Sequence, residues 1–253
     1  MGGDTKGVGL KLGRADKHII DLELAMDGFR FGKEKPYSIG VKPHPVSEIQ
    51  RVILFVETLK EVPDPIPLLI GDAVHNLRSA LDHLAWQLVL ANGEKPTRET
   101  EFPIGDPAKT YSAAFSDGKV KGMCVGAQKL IRDMQPCHSK DLTLWHLNTL
   151  DIADKHRLLI TAQLESESWG VKDRSDGVSL WFDQKTFAIV QGQEIVSLPL
   201  AVYQREKHDY FQLALDIAFG QSEIVAGESV LGTLHHLAKF TASTVVKFER
   251  FFR

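Results

Sequence analysis

Between Gly71 and Gln87 the chain reads GDAVHNLRSALDHLAWQ. Two imidazoles, a guanidinium, two carboxylates and an amide fall within about three helical turns. At about 100° per residue, Val74, Leu77, Leu81, Leu84 and Leu88 occupy one arc, and Asp72, His75, Arg78, Ser79, Asp82 and His83 the other. A merely solvated face would carry Lys, Glu and Gln. Short titratable side chains are the groups that do acid–base chemistry. An imidazole at His83 suits a general base for a ribose 2′-OH, or the acid for the leaving oxygen. A guanidinium at Arg78 suits bidentate binding of the scissile phosphate. Such a cleavage needs no metal, because the 2′-OH supplies the nucleophile.

Four residues separate Arg78 from His83. The two project about 140° apart on one helix, too far to converge on a small target within one chain. Two such helices packed antiparallel about a two-fold axis would bring each Arg to the partner's His. The plain structural alternative pairs Arg78 with Asp82 at i, i+4 and leaves His83 in a packing layer.

A second constellation lies in DIADKHRLL, Asp151 to Leu159. Lys155, His156 and Arg157 form a cationic end that suits the C-terminal dipole of a helix. In a functional reading one of them meets phosphate near the first cluster, or Asp154 orients an imidazole there. Histidines are numerous enough for a metal-dependent helical-bundle hydrolase to be an alternative. The spacings that mark such sites (HExxH, repeated ExxH, CxxC) are missing, so no metal ligand is assigned. No P-loop or GxSxG is present either.

The Arg-x4-His of Arg78 and His83, on a helix in a mostly helical region, resembles the HEPN superfamily. The resemblance covers about residues 65 to 165 and the C-terminal helix. It implies a helical bundle, often dimeric, and a metal-independent endoribonuclease acting in phage defence or as a toxin. In it Arg78 binds phosphate and His83 is the acid or base. His75, Asn76, Ser79, Asp82, Asp154, Lys155, His156 and Arg157 are the supporting or substrate-binding candidates. No cofactor is expected. RNA, a second copy of the chain and an antitoxin or regulatory partner are the partners implied. The chain is also similar to a widespread group of bacterial and phage proteins sharing GD-x-x-HNLRSALDHL and DKHR, a likeness that brings no chemistry. Some HEPN proteins are inactive binding modules, and a non-catalytic sensor with a structural polar helix face is the competing reading.

The remaining chain must position these residues. Its 253 residues are 43% hydrophobic and 25% charged, an ordinary globular composition. A net charge of -3 and a pI of about 6.4 exclude general nucleic-acid binding by bulk charge, so any phosphate site is local. Cys124 and Cys137 make no disulfide framework, and a reducing cytoplasm is the expected setting. No apolar run reaches the roughly 20 residues that span a bilayer, and the first residues lack the apolar core of a secretion signal.

The expected fold is α+β, a HEPN-like helical bundle core with an inserted antiparallel β-sheet, as one domain over 14–253. Helical segments are predicted at about 14–33, 65–156 and 227–252, the central helix starting near Leu68 after a stiff connector of Pro63, Pro65 and Pro67. Residues 1–13, rich in glycine, read as frayed. Strand-rich segments are predicted at about 37–60, as a hairpin, and 157–219, as a sheet of four to six strands. The latter rests on alternation at Val178, Leu180 and Phe182 and at Phe211 to Phe219.

Overall fold

The computed structural model describes residues 3–46, 48, 50–105, 118–136, 142–156, 162–172, 179–186, 188–206, 211–220 and 224–252. Among the sequence features above, Cys137, Arg157 and Val178 lie outside them. The architecture is α+β, a helical bundle joined to two small antiparallel sheets.

The helices run α1 Lys6–Phe31, α2 Pro65–Ala91, α3 Val125–Met134, α4 Leu142–His156, α5 Leu200–Glu206 and α6 Val230–Phe248. The strands are β1 Tyr37–Pro43, β2 Arg51–Leu59, β3 Ala162–Lys172, β4 Ser179–Thr186, β5 Glu194–Pro199 and β6 Phe211–Phe219. Helix α2 is central. It packs on α1, α4 and α6, and α6 also touches α1 and α4. The predicted apolar stripe of α2 is the core: Val74, Leu77, Leu81, Leu84 and Leu88 are all buried. No helix among the described residues is long and apolar enough to cross a membrane.

Three expectations are corrected. Helix α2 begins at Pro65, so Pro65 and Pro67 lie in its first turn rather than in a connector. Proline is tolerated there because first-turn N–H groups have no intrahelical acceptor to lose. From Lys6 onward the glycine-rich start is not frayed but is the first part of α1, with Val8 fully buried. Burial of an apolar side chain offsets the roughly 1 kcal/mol that each helical glycine costs. Truncating residues 1–13 is therefore expected to lower the melting temperature measurably. An unchanged melt in a thermal scan would return this segment to the status of a tail.

The third correction concerns the sheets. The strand-rich segment 157–219 does not form one sheet. Strands β4, β3 and β6 make a three-stranded sheet in the order β4-β3-β6. Strand β5 leaves it to extend the β1–β2 hairpin in the order β1-β2-β5, with Val52 opposite Leu198 and Leu54 opposite Val196. Val52, Ile53, Leu54 and Val56 are buried, so the apolar β2 is a centre strand needing a partner on each edge. Sheet β4-β3-β6 joins the bundle core through Leu164, Ile217 and Phe219.

Candidate functional site

The polar arc of α2 does not face solvent as a unit. It is divided between two antiparallel helix–helix seams. Along α1, Asp4 N donates to Gln87 Oε1 at 3.0 Å. Gly7 lies over His83, where a Cβ would stand 3.2 Å from His83 Nδ1. Lys11 Nζ reaches Asn76 Oδ1 at 3.5 Å, and His18 Nδ1 stands 3.8 Å from Asp72 Oδ2. Along α4 the partners are Arg78 with Asn148, His75 with Asp151, and Gly71 with Asp154. A Cβ on Gly71 would fall 2.1 Å from Asp154 Oδ1, so glycine leaves the space that the Asp154 carboxylate occupies.

Arg78 is a clamp. Its side chain is buried, 6% of the residue remaining exposed. Nε donates to Asn148 Oδ1 at 3.0 Å, NH1 to Asp82 Oδ1 at 2.5 Å, and NH2 to the Phe102 carbonyl at 3.1 Å. Asp82 Oδ1 also accepts from Phe102 N at 3.0 Å. One guanidinium thus ties α2 to α4 and to the segment after α2. The i, i+4 pair of the structural alternative is formed. Burial pushes the Asp82 carboxyl upward against the pull of Arg78 and the Phe102 N–H. The pair is half interior, with the Arg78 side chain buried and 36% of the Asp82 side chain still exposed.

One turn away the second imidazole has different surroundings. His75 Nδ1 is 3.0 Å from Asp151 Oδ1, and Asp151 is almost wholly buried, 1% exposed. Lys155 Nζ donates to the other oxygen, Asp151 Oδ2, at 2.5 Å. His75 Nε2 lies 3.4 Å from Ser79 Oγ. The His75 side chain is 46% exposed, so it has a buried anchor and an open edge. A carboxylate on Nδ1 selects the tautomer with a proton there and leaves Nε2 basic. The two constellations read from sequence therefore meet: Asp151 hydrogen-bonds His75, Asp154 lies against Gly71, and His83 stands on the other seam.

Asp154 completes the cluster. Burial pushes its carboxyl up, and the neighbouring Asp151 and Asp72 add to the shift, while His75 and Lys155 oppose it. The folded chain then holds the proton more tightly than the unfolded chain. The resulting stabilisation is full below the ordinary carboxylate range and is lost as pH rises through the raised value. At neutral pH the ionised group is a liability. Asp154→Asn is expected to raise the melting temperature at pH 7, with the gap closing as pH falls below the carboxylate range. A lower melting temperature for the variant at pH 7 would show that the carboxylate is held by attraction instead.

The remaining candidates separate. His83 is exposed on the α1 side and Arg78 is interior on the α4 side, so the two do not share a site within one chain. Asn76 is buried and spends its Nδ2 on the Asp72 carbonyl at 2.8 Å. His156 is exposed at the end of α4. For the metal alternative, no group of three or more His, Cys, Asp or Glu among the described residues is placed to hold an ion. Sequence reasoning passed over Asn148 and the Phe102 carbonyl. The one available signal was the stripe Asn148, Asp151, Lys155 at helical spacing on α4. Compared with known proteins, the chain matches no family model, no curated protein and no solved structure.

Proposed function

We propose that the chain is a metal-independent endoribonuclease whose acid–base group is His75, a departure from the Arg78 and His83 roles that the HEPN resemblance implies. The observation that carries this reading is the half-exposed imidazole anchored through Nδ1 by the buried Asp151. Its Nε2 takes the proton of a ribose 2′-OH, and the same nitrogen returns a proton to the leaving 5′ oxygen in a later step. Lys155, half exposed beside Asp151, is the cation that meets phosphate. Arg78 holds the seam together rather than the substrate. Phage defence or toxin action, with an antitoxin or regulatory partner, is the biological setting that the resemblance suggests. A dimer in which Arg78 and His83 meet across a two-fold axis belongs to the other form of the reading, with His83 as the acid–base group, and is not needed by a His75 centre.

Incubating the purified full chain with total RNA in EDTA tests it directly. Cleavage by the wild type and none by His75→Ala is the expected result. Intact RNA after prolonged incubation overturns it. That result would favour the non-catalytic binding module, which one observation already supports: every nitrogen of Arg78 is spent on the chain's own acceptors.

A further inference from the structure

The hydroxyl on the open side of His75 belongs to the chain itself. Ser79 Oγ stands 3.4 Å from His75 Nε2, His75 Nδ1 stands 3.0 Å from Asp151 Oδ1, and Asp151 is buried. Ser79 and His75 are one turn apart on α2, and Asp151 comes from α4. A hydroxyl within reach of an imidazole whose far nitrogen is fixed by a buried carboxylate is the arrangement that activates serine. At 3.4 Å the contact is at the loose end of hydrogen bonding.

We infer that Ser79 is a nucleophile and that the chain carries an esterase-type activity toward carboxylic esters. The inference shares the acid–base part of the proposed function, His75 with Asp151, and does not need RNA. In the first step Ser79 Oγ bonds to the ester carbonyl carbon while its proton passes to His75 Nε2. The C–O bond to the alcohol then breaks, and the departing oxygen takes that proton. In the second step water attacks the acyl-serine and gives its proton to His75 Nε2. The Ser79 oxygen leaves, recovers that proton, and the acid is released. Bonds and protons balance with water as the only co-reactant. Asn148, one turn before Asp151 on α4, gives Oδ1 to Arg78, which turns its amide nitrogen into a candidate donor for the oxyanion. Asp151 is the positioning residue, acting through His75.

A fluorophosphonate probe tests this without knowledge of the natural ester. Ser79 Oγ forms the P–O bond, fluoride leaves, and the proton goes to His75. On the intact chain a single adduct mapped by mass spectrometry to Ser79 is expected. Ser79→Ala abolishes it, and His75→Gln slows it by about 10²-fold or more, the usual contribution of a general base. Both side chains are at least partly exposed, so these variants keep the fold, and a thermal scan verifies that. Asp151→Asn is expected to shift the pH profile of labelling as well as its rate; an unchanged profile removes Asp151 from the relay. No adduct at Ser79, or equal labelling of His75→Gln, overturns the proposal. Labelling without RNA cleavage leaves the serine standing and removes the ribonuclease reading. RNA cleavage without labelling does the reverse.

Discussion

Arg78→Met is expected to destabilise the chain by about 2–4 kcal/mol, less than the cost of breaking a fully buried ion pair because the Asp82 side chain keeps 36% of its surface exposed. For a chain of this size that corresponds to a fall in melting temperature of about 10 °C. The cost has identifiable parts. Met fills the volume of the guanidinium stem but donates nothing. Asn148 Oδ1, Asp82 Oδ1 and the Phe102 carbonyl each lose a donor. The Phe102 carbonyl is worst placed, since that residue is fully buried and has no exposed alternative. Asp82 is left a carboxylate already pushed upward by desolvation, now without the cation that opposed the push. Arg78→Lys recovers only part of the loss, because one ammonium cannot span acceptors arranged for a planar fork. Chemical denaturation of both variants checks the order wild type, Lys, Met. Met melting with the wild type would mean that the clamp contributes nothing. The result also governs how activity data are read. An inactive Arg78 variant would report a loosened α2–α4 seam before it reported a missing phosphate ligand.

The α2 stripe was legible because periodicity alone determines which side chains share an arc, and Val74 through Leu88 needed no further information. The same wheel misled on the polar side. It gives the angle of Arg78 but not the identity of its neighbours, and a helix enclosed by α1, α4 and α6 has no solvent face for a whole arc. The Arg78–Asp82 pair was readable because it is local. The His75–Asp151 pair was not, because the partners are 76 residues apart and only the packing of α4 joins them. Both fragments stood out separately, GDAVHNLRSALDHL for its chemistry and DIADKHR for its charge, but the register between them is a tertiary fact. The first helix illustrates the opposite error. Glycines at positions 7, 9 and 13 lower helix propensity, yet Val8 is buried and Gly7 admits His83. Propensity lost to packing. The departure of β5 to the hairpin was equally invisible, since alternation marks a strand without naming the strand it joins.

Which imidazole works is the second result with a large expected effect. His75→Ala is expected to lower RNA cleavage by about 10²–10⁴-fold, the range for loss of a general acid–base group. His83→Ala is expected to leave the rate unchanged. The asymmetry follows from what stands behind each ring. Behind His75 Nδ1 is a buried carboxylate at 3.0 Å, so the ring has a fixed tautomer and orientation. His83 has the helical backbone of Gly7 beside Nδ1 and no carboxylate among its described hydrogen bonds or ion pairs. A rate measurement at several pH values separates a lost base from a loosened fold, since only the former removes a limb of the profile. Thermal melts supply the control: His75 is half exposed, and its removal should cost little stability compared with Arg78. The reverse outcome, in which His83→Ala is inactive and His75→Ala active, has a specific structural meaning. The working imidazole would then lie on the α1 side, away from its Arg in the same chain. Only a second copy, bringing a cation to His83 across a two-fold axis, would complete the site. In that case activity would rise with the fraction of dimer on dilution series, whereas a His75 centre built from α2 and α4 of one chain has no such dependence.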